Sequence, residues 1–282
     1  MTAAQALVIG SGPSAVAAAA SLIDRGIRPT VIDGGRDAPL EALKRQEKAR
    51  ARVLGPDVSS ARFNKSNPGQ KDWFGSNHPF SQPEASPLRY QDPLVVKASY
   101  GVGGLSRVWG GTFAYPDEWE GWPRVCRPSS DDLALVRRLV PAAHTQWPMG
   151  ESSLEDGVVR GARSSGEAMR AFMKASTENW RVRPSTVAID TRPESSSTCV
   201  YSAQCLTGCP NDAIWFAGTQ IRTWKAQGLI EYMPGHTAVK LLEGEAGVIV
   251  HTLSEHGPHT ITAERVFVAA GPLATGGLLI AS

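Results

Sequence analysis

The sequence predicts an α/β fold with a βαβ opening, a parallel sheet and an antiparallel meander. Ala6-Leu7-Val8-Ile9 is a short continuous apolar run, the pattern of a strand buried on both faces, and glycines follow it at once. Residues 29–32 and 266–270 repeat that pattern, the first after an alanine-rich stretch and the second before Gly271-Pro272. Between them, residues 229–232, 236–242, 248–253 and 260–263 alternate apolar and polar positions in the manner of half-buried strands.

Along the chain, residues 14–24 read as a helix stopped by Arg25-Gly26, and residues 40–53 as a charged amphipathic helix. Residues 55–93 are rich in Pro, Gly and polar side chains with weak periodicity, and a loop of that length is usually functional or mobile. Residues 94–98 read as a strand that runs into the glycine-dense segment 99–111. Helices are expected at 131–143, 167–178 and 213–227, a hairpin turn at 254–258, and a short helix at the end. No internal repeat is visible.

The 282 residues are 41% hydrophobic and 20% charged, with 28 Gly and 20 Pro, an ordinary globular composition. Lys and Arg number 29 against 27 Asp and Glu, and the basic residues form no dense cluster, so nucleic acid is not an expected partner. The apolar stretch 15–23 falls far short of the roughly 18 residues a spanning helix needs, and no membrane span is expected. No basic region precedes the N-terminal apolar residues, and Gly10 and Gly12 interrupt them, unlike a secretory signal, so the expected compartment is the cytoplasm. Four cysteines are too few for a disulfide scaffold in a chain this long.

Gly10-Ser11-Gly12-Pro13-Ser14-Ala15 fits GxGxxA between the first strand and helix, and Asp33 ends the second strand about 20 residues on. That is the fingerprint of a dinucleotide site. Gly10 permits the tight turn, Gly12 lets backbone approach a pyrophosphate, and the small Ala15 allows close helix–strand packing. The helix N-terminus at Pro13 and Ser14 then faces the phosphates with free N–H groups and a positive dipole end. The Asp33 carboxylate suits ribose hydroxyls and disfavours a 2′-phosphate, which argues against NADP. FAD and NAD both use this unit, so the fingerprint alone leaves them open.

Residues 100–111, Tyr-Gly-Val-Gly-Gly-Leu-Ser-Arg-Val-Trp-Gly-Gly, hold five glycines in twelve positions, which lets backbone lie flat against a ligand. The segment resembles the GGxSxxWGG stretch of the glucose-methanol-choline (GMC) oxidoreductases, FAD enzymes that oxidise alcohols and sugars, and of the related pyranose oxidases. Trp122-Pro123 followed by Ser130-Asp131-Asp132-Leu133 is similar to what comes next in that family. Cys205-Leu206-Thr207-Gly208-Cys209-Pro210-Asn211-Asp212-Ala213 is similar to its C-x-x-G-C-P-x-x-A, and residues 266–282 to its strand-turn-helix ending in LL-x-x-S. The order of the segments agrees as well, and only residues 150–198 match nothing in it.

The resemblance implies a Rossmann-like FAD-binding fold with a partial inserted substrate or cap region, and FAD as cofactor. It places Gly103, Gly104, Ser106, Arg107, Trp109, Gly110 and Gly111 in a loop over the flavin ring, where N–H groups can meet ring nitrogens and carbonyls. Trp109 either covers the ring or packs in the core. The family lays backbone along the adenine at the position of Val239, and its strand-turn-helix brings in Ala270 and Gly271. Pyranose oxidases bond the flavin to a histidine just before the tryptophan; Val108 stands there, so the implied FAD is non-covalent.

The family's catalytic base, a histidine paired with His or Asn, lies C-terminal to the segment that here is 266–282. None of His78, His144, His236, His251, His256 or His259 matches that position, so no catalytic residue is assigned. His78 reads as a solvated loop histidine with substitute base as the alternative, and His251, His256 and His259 as a solvated turn with metal binding as the alternative. No metal is expected. Cys199, Cys205 and Cys209 have x5 and x3 spacing, which matches neither a ferredoxin run nor a zinc site. They read as buried thiols in a tight loop, with a Cys199–Cys205 or Cys205–Cys209 disulfide left open and disfavoured in a reducing compartment.

The expected organisation is an FAD-binding part at 1–125, an inserted helical or cap region with the cysteine loop at 126–228, and a returning FAD-binding part at 229–282. The function so implied is the FAD-binding portion of an oxidoreductase acting on an alcohol or sugar. The family's C-terminal substrate domain would be absent, and a second subunit could supply it. The alternatives are a non-catalytic flavin-binding or assembly subunit, and an NAD-dependent reductase, although no second dinucleotide fingerprint is visible.

Overall fold

The computed structural model describes residues 4–55, 73–80, 98–113, 150–151, 186–190, 192, 194–200, 202 and 204–282. The helices expected at 131–143 and 167–178, residues 94–97 of the strand expected at 94–98, and most of the 55–93 loop lie outside these residues. The chain divides into two compact units, one of Met1–Trp109, Leu206–Gly208 and Phe216–Ser282, the other of Gly110–Cys205 and Cys209–Trp215.

In the first unit, β1 (Leu7–Ile9), α1 (Pro13–Ile23) and β2 (Thr30–Asp33) make the expected βαβ opening, and α2 (Leu40–Val53) follows with the predicted bounds. The second unit holds β3 (Thr112–Phe113), β4 (Gly150–Glu151) and β5 (Thr186–Val187), a small antiparallel sheet in the order β3-β5-β4. Back in the first unit come α3 (Ala217–Ala226), β6 (Glu231–Pro234), β7 (Thr237–Gly244), β8 (Gly247–Ser254), β9 (Gly257–Ala263), β10 (Val266–Val268) and α4 (Pro272–Ala281). The parallel sheet runs β10-β1-β2-β6, and β7-β8-β9 form an antiparallel meander. The α/β class and the pairing of a parallel with an antiparallel sheet are as the sequence predicts.

The apolar runs form strands because both faces are covered. Leu7, Ile9 and Ile32 meet Val250 and Ala263 of the meander and Leu278 of α4 in one core cluster. Val8 and Val31, sent to the opposite face by the pleat, are fully buried too. In α2, Ala42, Ala49 and Val53 are the buried positions, and Ala42 and Ala49 pack against Trp73, Phe74 and Val108. The expected long polar loop therefore contributes core: its described part, 73–80, buries Trp73 and Phe74.

Several boundaries differ by a few residues from the sequence reading, and two of the differences have a clear physical cause. The helix expected from residue 213 begins at Ala217. Asp212 has a φ of 52°, and the chain then pairs in extended form: Ala213 accepts from Asp190 N–H and Trp215 donates to Ala188. The hairpin expected at 254–258 turns on two residues, Glu255 and His256, because Gly257 has a φ of 102° and pairs with Ser254 at once. Among the described residues no helix is long and apolar enough to cross a membrane.

Candidate cofactor site

In an open parallel sheet, ligands bind at the carboxyl ends of the strands where the strand order reverses. With the order β10-β1-β2-β6 that point lies between β1 and β10. Gly10 follows β1, and a Cβ there would stand 2.3 Å from the Ala269 carbonyl oxygen at a φ of 114°. Only glycine lets the two strand ends come together in this way. Gly12, two residues on, has ordinary φ, and among the described residues a Cβ there would meet nothing within 4 Å. The first glycine is required by the protein's own packing, whereas the second faces open space at the start of a helix.

Both helices that leave this point begin alike. α1 has Gly12 as N-cap and Pro13 in its first turn, α4 has Gly271 and Pro272, and neither has a side-chain cap. A Cβ on Gly271, whose φ is 83°, would also meet nothing within 4 Å. The first N–H groups of a helix have no intrahelical acceptor, so Ser14 and Ala15 offer donors to an anion at the positive end of α1. Ala15 is fully buried and Ser14 exposed, and the neighbouring Ala270 is half-buried.

Asp33 ends β2 beside this turn. Its carboxylate accepts from the Ser11 hydroxyl, from Gly35 N–H at 2.9 Å and from the Tyr232 hydroxyl at 3.4 Å, all neutral donors. Burial pushes its pKa above the ordinary value, and the three hydrogen bonds oppose that shift. Burial, reinforced by the Asp33 charge, also drives the Tyr232 phenol upward, so Tyr232 stays a neutral donor.

The glycine loop is fastened to the same place. Gly101 bridges to Arg36 in parallel, with Arg36 N–H donating to Tyr100 and Val102 N–H donating to Arg36. Gly103 N–H donates to the Ser11 hydroxyl at 2.8 Å. A Cβ on Gly104 would lie 3.4 Å from Cα of Gly12, so little more than a methyl group would fit between the loop and the dinucleotide turn. Gly103, with φ of 85°, leaves room for the Phe216 ring, which a Cβ would strike at 2.2 Å. Ser106 is buried; its hydroxyl donates to the Gly103 carbonyl at 2.5 Å and accepts Ala217 N–H at 3.1 Å, which starts α3. The Arg107 guanidinium lies between the Trp73 and Phe216 rings, 4.5 and 4.0 Å from their centroids. Val108 turns into the core against α2 and Trp73, and Trp109 is half-buried.

Val239 is the extra residue of a β-bulge: β7 pairs Ala238 with Thr252 and Lys240 with His251, which skips it. A bulged residue is left out of the ladder, so its backbone groups on this outer strand can serve another acceptor or donor. His78 is half-buried, not solvated as the sequence suggested. Its Nε2 is buried against Gly101, and burial with the Arg107 and Arg36 charges pulls its pKa down, which favours the neutral ring. His256 and His259 are exposed on the hairpin, as expected of a solvated turn, and His251 lies within β8. His144 lies outside the described residues.

Gly110 and Gly111 belong to the second unit. Gly111 has a φ of 72°, and a Cβ would press on Ile189 at 3.2 Å and Ile214 at 3.4 Å. Here Asp190 anchors the chain. Arg192 grips its two carboxylate oxygens at 2.9 and 2.7 Å, Ser195 donates at 2.8 Å and Arg192 N–H at 3.1 Å. The Arg192 hydrogen bond above all holds this carboxyl far below the usual range. Cys199 N–H donates to the Asp190 carbonyl and Asn211 donates to that of Thr198, so the two limbs of the cysteine loop lie side by side. Cys199, Cys205 and Cys209 are free thiols and half-buried, less buried than the sequence suggested. Burial raises the Cys205 and Cys209 thiols above their ordinary value. Among the described residues no group of three potential ligands is arranged to hold a metal ion.

The glycines and Asp33 are legible in the sequence, whereas Ser11, Tyr232 and Phe216 emerge only from the structure. Ser11 occupies a variable position of GxGxxA, and only its small polar side chain hinted at a role. Tyr232 and Phe216 gave no local signal.

The sequence matches no family model and no curated protein sequence. Solved structures with similar backbones include pyridoxine 4-oxidase from Mesorbium loti, 16% identical over 95% of this chain and 49% of that one, with a TM-score of 0.47. An amino acid oxidase essential for nikkomycin biosynthesis, in its open form, is 14% identical over 99% of this chain and 54% of that one, with a TM-score of 0.37. L-amino acid deaminase from Proteus vulgaris is 11% identical over 97% and 49%, with a TM-score of 0.31. The chain spans about half the length of these structures.

Proposed function

We propose that the chain binds FAD non-covalently and is the cofactor-binding portion of a flavin-dependent oxidoreductase of the glucose-methanol-choline type, acting on an alcohol or sugar hydroxyl. The observation that carries this reading is the carboxyl end of β1 and β2, where the uncapped start of α1, the open side of Gly12 and a carboxylate held, among the described residues, only by neutral donors adjoin. Each suits one part of a dinucleotide. The N–H groups of Ser14 and Ala15 take the pyrophosphate beside Gly10, Gly12 and Pro13, and Asp33 takes the adenosine ribose. The bulged backbone at Val239 serves the adenine edge. Gly103, Gly104, Ser106, Arg107 and Trp109, with Ala270 and Gly271, are assigned to the flavin end.

A bound flavin supplies a two-electron acceptor for the hydride leaving the substrate carbon. The loop's own part is orientation, through N–H groups fixed by Ser106 and by the ring of Phe216. Val108, with its side chain in the core, offers no nucleophile for a covalent flavin link. No residue of this chain is assigned as the base that takes the hydroxyl proton. We assign that group and the substrate pocket to a second subunit or further polypeptide, and the free thiols suit the cytoplasm. A second reading, a flavin-binding assembly subunit without catalysis, draws on the exposed Leu279 and Ile280 of α4, 58% and 90% accessible.

The test is the visible absorption spectrum of the purified chain, followed by acid release of the chromophore. FAD released without covalent attachment supports the proposal. A colourless chain that takes up no added FAD overturns it.

A further inference from the structure

Ser11 is 2% exposed, and its single hydroxyl joins two segments that the FAD reading gives to opposite ends of the cofactor. It hydrogen-bonds to Asp33, and it accepts the Gly103 N–H at 2.8 Å, from 92 residues away. An ionised carboxylate can only accept, so the hydroxyl proton points to Asp33 and a lone pair is left for Gly103. Both bonds are thereby fixed in direction. Gly103 has left-handed backbone and caps the short turn Gly104–Arg107, so its N–H sets where that turn begins. A Cβ on Gly104 would already touch Cα of Gly12 at 3.4 Å, so the loop that Ser11 holds runs close beside the dinucleotide turn.

We infer that Ser11 is a positioning residue that locks the ribose-binding carboxylate and the glycine loop into one register. Occupation of the adenosine end then sets the loop that faces the flavin ring. The inference rests on the FAD reading above and deepens it. Without the hydroxyl, Gly103 keeps a buried N–H with no acceptor at that point, and Asp33 loses one of three donors.

Other groups face Asp33 and bear on any titration. Tyr232 reaches it from β6, and His236, which opens the chain into β7, donates its backbone N–H to the Asp33 carbonyl at 3.0 Å. Arg36 and Asp37 follow in sequence, and Asp37 pairs with Arg222 of α3 at 2.7 Å. Tyr232→Phe is the matched control, since it also takes a donor from Asp33 but leaves Gly103 untouched.

The experiment uses the full chain with two probes. ADP reports the adenosine end by calorimetry between about pH 5 and 8, and FAD reports the ring end through its absorption band and midpoint potential. Ser11→Ala is expected to weaken ADP about tenfold, move the acid-side loss of ADP affinity to higher pH, and shift the band and potential of bound FAD. Tyr232→Phe should reproduce the first two effects and leave the flavin signals at parental values. If Ser11→Ala does not fold, Ser11→Cys, which fills similar space with a weak donor, is read in the same way. Parental flavin signals in the Ser11 variant, or equal shifts in Tyr232→Phe, overturn the inference. Failure of the FAD reading is visible separately, in a parent chain that binds no flavin before any variant is made, and takes this inference with it.

Discussion

Asp33 in the first unit and Asp190 in the second are both drawn largely out of solvent, yet their partners differ in kind. Asp190 has an arginine on both oxygens, a serine and a backbone N–H, and its charge is answered within the stretch from Asp190 to Ser195. Asp33 has a serine, a tyrosine and a backbone N–H, none charged. The same contrast runs through the glycines. Gly111 is closed in by Ile189 and Ile214, while Gly12 opens on space. Residues whose interactions are complete serve the fold, and those left incomplete at a strand's carboxyl end are where a ligand finishes the structure.

The largest expected effect is on nucleotide affinity. Asp33→Asn should weaken FAD and ADP about 10- to 100-fold, the worth of hydrogen bonds to a charged acceptor, when measured by calorimetry. The apoprotein should be no less stable, because a neutral amide avoids the penalty of burying a charge. Asp190→Asn should do the reverse: a loss of about 2 kcal/mol in urea unfolding, with nucleotide affinity within about twofold of the parent. If Asp33→Asn also destabilises the apoprotein by that amount, the division between the two carboxylates collapses.

A glycine pair sharpens the contrast at smaller cost. Gly12→Ala keeps an allowed φ of −75° and meets no neighbour, so stability should hold while the added methyl weakens ADP about tenfold. Gly111→Ala must hold positive φ against two isoleucines and should cost about 1–2 kcal/mol in the same unfolding assay. A Gly12→Ala chain that binds ADP as the parent does would remove the pyrophosphate from its assigned place.

What was legible in the sequence was what is contiguous in the chain. The turn at 10–15 and Asp33 lie in one βαβ unit, so spacing alone places them. Ser106 could be named only through a resemblance, and its work as a hydrogen-bond partner of Ala217 spans 111 residues, which no local pattern encodes. The Gly103–Phe216–Gly218 fit is likewise tertiary: two glycines are small because one ring lies between them. Asp190 and Arg192 are near neighbours, but nothing local says that Asp190 is buried, so no pattern in the sequence marks the pair. The start of α3 was misplaced for a similar reason, since residues 213–215 have helix-compatible composition but spend their backbone groups on 188–190.

The smallest expected effect, and the most discriminating, is the pH dependence of these mutational differences. Asp33 titrates above its unfolded value, so the stability linked to its proton is fully present below about pH 3.9 and is lost as pH rises through the folded value. Asp190 titrates below its unfolded value, so its contribution is present above about pH 3.9 and is lost as pH falls through the folded value. The lowered pKa values of His78 and His236 act in the opposite sense to Asp33, because the unfolded chain takes up their protons first on acidification. Comparing parent with variant at each pH cancels the histidines. The advantage of Asp33→Asn should be greatest near neutrality and fade toward pH 4, as the parent's carboxyl takes its proton. The deficit of Asp190→Asn should stay constant down to about pH 5 and shrink only in stronger acid. An Asp33→Asn difference that is flat from pH 7 to 4 would mean that Asp33 carries its charge as easily as Asp190, and that the two carboxylates are alike after all.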